Sequence, residues 1–497
     1  MTSQEPVFEF PLSFGAGGGA GSLVRQLHAQ LRAAILDRRL LPGAKLPATR
    51  RVAHAYGLAR NTVIAAYDLL VAEGYVLTRA GAKAEVAALS ARLRPRRHRA
   101  HPAGQLLNPY WRRAAPALAA FAGYERVPGF RLGMPECRDF PCDIWRRLLT
   151  RAMNRRSGNS CFEYPGSQGR PLLRAAISQH VSFTRAVACT DQDVFVTHGA
   201  QQAFDLLARA LVTPGRTRVA VENPGYPPLC AAMAAAGAQI VPVAVDEQGL
   251  RVERLPDDVR AVYVTPSHQF PTGVPMSMAR RAALLDFART RGAVIIEDDY
   301  DGEFRYGERP LDALQTLDRE ASVFYVGTFS KSLYPALRVG YIVAPSWARS
   351  ELISVKQCAD TGGNSQLQEA LGHFIVDGHL ARYVRRMRKV YEARRRAVLE
   401  ALAGELAPWL QPLPSEAGIH IAARCLSRNA AASIYLHARQ HAPGAQPLRD
   451  FTRGGEVEPG ITFGFGCIEV DAIRERLRAF GRALARGRSA AQIETPR

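Results

Sequence analysis

The segment Gly327-Thr328-Phe329-Ser330-Lys331 ends an apolar run and leaves a lysine in a loop. Open α/β sheets bind ligands at the carboxyl ends of their strands, so the amine of Lys331 is a candidate nucleophile. Its company sharpens that reading. Glu297-Asp298-Asp299-Tyr300 closes another apolar run, Arg338 follows the lysine by seven residues, Pro224-Gly225-Tyr226 follows a third run, and Gly199-Ala200-Gln201 opens a helical stretch. An amine can form a Schiff base, and a carboxylate can keep a pyridine nitrogen protonated as an electron sink. A phenol can bond a ring hydroxyl, and an aromatic face can stack on the ring. A helix N-terminus, small hydroxyls and an arginine suit a doubly charged phosphate. Together these features point to one ligand, pyridoxal 5′-phosphate.

Such residues need a sheet to hold them. From about residue 130, apolar β-rich runs (218–221, 240–245, 261–265, 293–297, 323–326 and 340–343) alternate with helical stretches such as 201–211 and 279–291. That alternation predicts an α/β domain with a mostly parallel central sheet. From about residue 375 the chain is helix-rich and then mixed, which predicts a smaller α+β lobe. The front differs. Leu23, Leu27, Leu31 and Ile35 recur every four residues, Pro42-Gly43 breaks the pattern, and helices are expected over about 49–56 and 60–73. Residues 75–78 and 84–87 can pair around Arg79-Ala80-Gly81. Three helices and a hairpin predict a winged helix-turn-helix. Up to residue 105 there are 15 basic and 6 acidic side chains, a surplus of nine within the chain's net +20. A basic front of this kind fits a nucleic-acid surface.

The 497 residues divide, on this reading, into a flexible N-terminus (1–22), the winged helix-turn-helix (23–87), a basic linker (88–129), a cofactor-binding domain (130–485) and a tail (486–497). The glycine run at 15–21 lacks the strand-turn-helix context of a phosphate loop. Eight cysteines with no CxxC pair exclude a disulfide framework or cysteine zinc site and favour a cytoplasmic protein; Cys137 and Cys142 are expected in the core. No run of about 18 apolar residues is present, which excludes a spanning helix. His437 and His441 share a helical spacing without a third ligand, so no metal is expected.

Residues 23–87, above all LPATRRVAHAYGLARNTVIAAYDLLVAEGYVLTR, resemble a GntR-type DNA-binding domain. Residues from about 130 to 485 resemble a fold-type I, aspartate-aminotransferase-like domain in the stretches TPSHQFPTGVPMS, IIEDDYDGEFRY and YVGTFSKSLYPALRVGYIV. The two in this order resemble the MocR (GabR-like) family of bacterial transcription regulators. The resemblance implies that Lys331 is the Schiff-base lysine, Asp298 the partner of the pyridine nitrogen, Tyr300 that of the ring hydroxyl and Tyr226 the stacking aromatic. It also implies phosphate contacts from Thr328, Ser330, Arg338 and the helix start at Gly199, Ala200 and Gln201. Arg50, Arg60 and Thr62 would face operator DNA, with Asn61 placed to touch a base or phosphate and the wing at Arg79 and Gly81 lying over the backbone. A homodimer is implied, with an amine, an amino acid or pyridoxal phosphate itself as effector at Lys331. A true aminotransferase with an accessory DNA-binding domain is the alternative.

Departures from the pattern matter. Phe270 stands where aminotransferases carry an asparagine that donates to the ring hydroxyl, and residues 461–466 lack their substrate-carboxylate arginine. Arg449 and Arg453 are the substitutes within reach in sequence. Ala48 and Ala59 replace the serines usual at two helix starts, a loss of about 1 kcal/mol per cap, which Thr49 and Asn61 are placed to offset.

Overall fold

The computed structural model describes residues 7–14, 23–78, 83–88, 110–111, 129–154, 163–307, 312–414, 416–455 and 458–493. The chain forms two compact units, Met1–Leu107 and Asn108–Arg497. The glycine run at 15–21, the wing tip with Arg79 and Gly81, and the arginine-rich stretch at 92–102 fall outside the described residues.

In the first unit, helices α1 (Leu23–Leu36), α2 (Thr49–Tyr56) and α3 (Arg60–Ala72) precede strands β1 (Val76–Leu77) and β2 (Glu85–Val86), which pair antiparallel. Leu27, Leu31, Val52, Val63, Leu70 and Val76 meet in one core and are fully buried. Gly57 takes φ +61 between α2 and α3, a left-handed turn that a side chain would strain. Ala48 and Ala59 are the N-caps and give no side-chain bond, so packing rather than capping starts these helices. One expectation is corrected. Residues 7–14 are not a free leader: Phe8 and Phe10 are buried in this core, with Val7, Leu12 and Phe14 packed against it. A core this small gains much from two extra aromatic rings.

The second unit is an eight-stranded sheet with a smaller lobe. Strands β3 (Val194–Thr197), β4 (Arg218–Asn223), β5 (Gln239–Asp246), β6 (Gly249–Leu250), β7 (Ala261–Val264), β8 (Val294–Asp299), β9 (Val323–Thr328) and β10 (Gly340–Val343) lie in the order β3-β10-β9-β8-β7-β4-β5-β6. Strands β9, β8, β7, β4 and β5 are mutually parallel, while β10 runs against β3 and β9. Helices on the sheet's two faces bury it on both sides, which is why its strands read as continuous apolar runs. In the smaller lobe, β11 (Leu410–Pro412), β12 (His420–Cys425), β13 (Gln446–Pro447) and β14 (Gly460–Gly464) form an antiparallel sheet in the order β11-β12-β14-β13. The helix Val470–Ile493 runs on into the stretch expected as a tail. Cys137 and Cys142, expected in the core, are exposed.

If residues 7–14 complete the first core, Phe8→Ala should cost about 3–5 kcal/mol in the unfolding transition of that unit. Denaturant unfolding of the full chain measures it; a loss within about 0.5 kcal/mol, the range of surface changes, would put the segment outside the core.

Candidate functional site

Parallel strands deliver their carboxyl ends to one edge, and the residues expected to bind a cofactor lie there. A cavity of about 670 Å³ is lined by Ala200, Gln201, Tyr226, Asp298, Tyr300, Thr328, Ser330, Lys331 and Arg338. Gly199 stands just behind that lining: a Cβ there would come 3.0 Å from Arg338 Nη2, and the residue takes φ +73. Lys331 Nζ donates to the Gly133 backbone oxygen at 2.6 Å, and a Cβ at Gly133 would stand 2.6 Å from that amine. Only glycine leaves the lysine its place.

The three consecutive acids of β8 do three different things, because side chains alternate along a strand. Glu297 accepts from the backbone N–H groups of Leu314 and Gln315 at 2.7 and 2.9 Å and so holds the helix Leu314–Leu317. Asp299 pairs with Arg185 at 2.6 Å and accepts from the Tyr325 hydroxyl. Asp298, between them, faces the cavity. Its Oδ2 accepts from the Tyr263 hydroxyl at 2.7 Å, while its buried Oδ1 has no hydrogen-bond partner among the described residues. Burial, resisted by the Tyr263 bond, pushes the Asp298 carboxyl up to about 7. A cationic ring N–H would satisfy Oδ1 and favour the carboxylate again.

At the other end, the helix Gly199–Leu211 begins without a side-chain cap, so its first N–H groups are available to an anion. Arg338 Nη2 donates to the His198 backbone oxygen at 3.0 Å, and the Thr328 hydroxyl donates to Ser330 Oγ at 3.0 Å. A dianionic phosphate matches this set of donors. Tyr226 forms a wall with Phe270, their rings edge-on at 5.3 Å. An amine, an unsatisfied carboxylate, an aromatic wall and an anion cradle in one cavity fit pyridoxal phosphate.

Three residues differ from expectation. Tyr300 lines the cavity, but its hydroxyl already donates to the His268 backbone oxygen at 2.9 Å. Arg449 and Arg453 are corrected: neither lines the cavity. The Arg449 guanidinium lies over the Tyr435 ring at 4.7 Å, and Arg453 is exposed, its backbone N–H donating to Asn223 Oδ1. Arg449 lies in the single helical turn Leu448–Phe451 and Arg453 just beyond it, and neither is carried to the cavity wall. Arg131 and Arg439 line the cavity instead, with Gly133 and His420. Sequence reasoning missed these four, which come from the chain before the sheet and from the smaller lobe. The run Leu132-Gly133-Met134-Pro135 was the one local cue.

In the first unit, Arg50 on α2 and Arg60 and Asn61 at the start of α3 are exposed, and Thr62 is half-buried. The start of the second helix of such a motif is the part that reaches base edges.

Residues 129–439 match the family "Aminotransferase class I and II", and residues 23–86 match "Bacterial regulatory proteins, gntR family". The chain is similar to the probable rhizopine catabolism regulatory protein MocR of Rhizobium meliloti, 35% identical over 459 residues and 92% of each chain. It is also similar to the HTH-type pyridoxine biosynthesis transcriptional regulator PdxR of Corynebacterium glutamicum, 30% identical over 466 residues, 94% of this chain and 97% of that one. Among solved structures, the kynurenine aminotransferase of Pyrococcus horikoshii superposes with a TM-score of 0.70 at 25% identity, over 78% of this chain and 98% of that one. The α-aminoadipate aminotransferase LysN of Thermus thermophilus, complexed with N-(5′-phosphopyridoxyl)-L-leucine, gives 0.66 at 26% identity, over 78% and 97%.

Burial, with help from Arg338 and against the pull of Asp301 and Asp298, brings the Lys331 ammonium down to about 8. Only the neutral amine attacks a carbonyl. Covalent capture of pyridoxal phosphate by the cofactor-free protein should therefore rise about tenfold per pH unit below 8 and level off above it, whereas an ordinary lysine levels off only above about 10. Borohydride trapping across a pH series reads this, and a rate still climbing between about pH 9 and 10 would refute the depressed amine.

Proposed function

The chain belongs to the MocR-type regulators, in which a GntR helix-turn-helix precedes an aminotransferase class I and II domain, and from that premise we propose that it couples occupancy of the Lys331 cavity to its grip on operator DNA. It is a pyridoxal-phosphate-dependent transcription regulator; the coupling, the effector and the residue roles are our reading. The observation that carries this reading is the meeting of Lys331 and the unsatisfied Asp298 in one cavity, within a chain whose other unit presents exposed Arg60 and Asn61 at the start of α3.

Bound in the cavity, pyridoxal phosphate supplies an aldehyde that combines reversibly with primary amines and a ring that withdraws electrons. Lys331 holds the group through its amine, which burial keeps ready to lose a proton. Asp298 holds charge against the ring nitrogen, Tyr226 and Phe270 wall the ring, and Thr328, Ser330, Arg338 and the helix start anchor the phosphate. An effector amine or amino acid competes with Lys331, or the cofactor itself is the effector. Either acts on DNA only through a different affinity for two arrangements of the protein. We further infer a cytoplasmic homodimer, whose two heads would read paired half-sites. Among the described residues no helix is long and apolar enough to cross a membrane.

The alternative, an aminotransferase with an accessory DNA-binding domain, requires sustained turnover of an amino donor with a keto acid. Phe270, an apolar side chain in the cavity wall where aminotransferases carry an asparagine, weighs against that.

Footprinting on DNA flanking the gene, with cofactor and a panel of amines, tests the coupling. Operator affinity should change with an effective amine in the parent, and this response should vanish, with the cofactor's visible band, in Lys331→Ala. Operator affinity that stays within about twofold for every amine and for cofactor alone would mean no differential affinity, and so no coupling. Arg60→Ala should cost about 1–3 kcal/mol in specific binding and much less in non-specific binding. Equal losses, read by titration on operator and scrambled duplexes, would make Arg60 a phosphate contact.

A further inference from the structure

Beside the cavity, one group of polar side chains has no part in the roles above. The Tyr300 hydroxyl, which donates to the His268 backbone oxygen, also lies 3.0 Å from His268 Nδ1. That same nitrogen stands 3.0 and 3.2 Å from the two carboxylate oxygens of Asp301. The side chains of His268 and Asp301 are each only 1% exposed. A carboxylate on Nδ1 places the imidazole proton there and orients the ring. Against the other side of His268 packs His420, their ring centres 4.5 Å apart. His420 Nε2 lies 3.1 Å from the Pro271 backbone oxygen. A carbonyl only accepts, so Nε2 carries the hydrogen and Nδ1 keeps its lone pair. Burial, reinforced by His268, holds His420 well below the ordinary imidazole range and therefore uncharged.

The loops are shaped to admit this cluster. Gly418, at φ +75, lies against His268 and Asp301, and a Cβ there would collide with both. Tyr300, His420 and Lys331 all line the cavity, beside Phe270, which offers no polar atom. Among the described residues, the titratable groups acting on the cluster include Asp298 and Asp299 of β8, Glu222 of β4, and Lys331 after β9.

We propose that Asp301 and His268, with His420 packed against them, form a positioning network for the cofactor cavity, fixing the Tyr300 phenol in one orientation on the wall it shares with Lys331, a polar control that Phe270 cannot supply. The inference rests on the cavity reading above. It asks of these residues no contact with a reacting atom: they act through Tyr300. His268, Asp301 and His420 also bring three metal-capable atoms within 4.8 Å of one another. The Asp301–His268 and His420–Pro271 bonds already engage the carboxylate and one nitrogen of each ring, so the geometry favours hydrogen bonding, and a metal becomes an outcome of the test.

Full-length parent, Asp301→Asn, His268→Phe and His268→Gln are loaded with pyridoxal phosphate, and cofactor content, absorbance spectrum and cofactor-free melting are recorded. Asp301→Asn keeps the shape and removes the charge, so it carries the test even if His268→Phe fails to fold. The expected result is retained cofactor content, with the ratio of the two absorbance bands at neutral pH altered by about threefold or more in Asp301→Asn and His268→Phe, the effect of about half a pKa unit. His268→Gln, which restores a polar partner, should recover part of the change. A purely structural role would alter melting and leave the band ratio of the folded, loaded protein alone. A ratio in Asp301→Asn within about 1.5-fold of the parent would overturn the proposal, as would stoichiometric zinc bound by the parent and lost in that variant. If the parent takes up no cofactor through Lys331, the cavity reading itself falls and this inference with it.

Discussion

The amine of Lys331 is half-buried in its cavity, where protein has replaced much of the water that would compensate its charge, and the large unit is arranged around that cost. An isolated buried ammonium is expensive, so the group either finds acids or gives up its proton. Here it does some of each: Asp298 and Asp301 act on it electrostatically, the Gly133 carbonyl accepts from it, and its affinity for the proton still falls. Asp298 faces the mirror-image problem, a buried carboxyl with one satisfied oxygen and one open. Neither group is comfortable alone. A ligand bearing a carbonyl at one end and a cationic ring nitrogen at the other relieves both, which is why affinity for such a group follows from the folded protein rather than from any single side chain.

The sheet makes this economical. Residues separated by more than a hundred positions, from the helix Gly199–Leu211 to the loop after β9, arrive at one edge because five strands run parallel. The smaller lobe closes the cavity with His420 from β12 and with Arg439. Along β8, alternation sends Glu297 and Asp299 to structural partners and reserves Asp298 for the site. Two neighbouring acids are thereby kept from competing for the ligand.

The first unit obeys a different constraint. A domain of some sixty residues has little interior, so even the segment before its first helix contributes two aromatic rings. What remains outside is polar and basic, and Arg50, Arg60 and Asn61 stay in solvent because helix packing uses the opposite face.

The strands that read as unbroken apolar runs, the three front helices and the lysine, acid and tyrosine of the cavity were all legible in the chain, because each is a local signal: a period, a turn, or a motif read against a strand end. Strand β3 was not, since three apolar residues and a threonine just before a helix are too short a run to stand apart from it. Phe8 and Phe10 were read as part of a flexible N-terminus because two aromatics ahead of a glycine run have no periodic partner nearby. Arg449 and Arg453 were chosen for nearness along the chain, and the helical turn Leu448–Phe451 in the smaller lobe carries neither to the cavity wall. His268, Asp301 and His420 carry no spacing that joins them, being set by the loops after β7 and β8 and by the first residue of β12, which meet only when those strands are in place. The amino-acid order alone determined which elements form and which chemistry they bring, because hydrophobic period and strand-end residues act over a few positions. Which oxygen is left open, which arginine faces the cavity and which histidine meets which acid were decided by the tertiary structure, because burial and hydrogen-bond partnership depend on groups far apart in the chain.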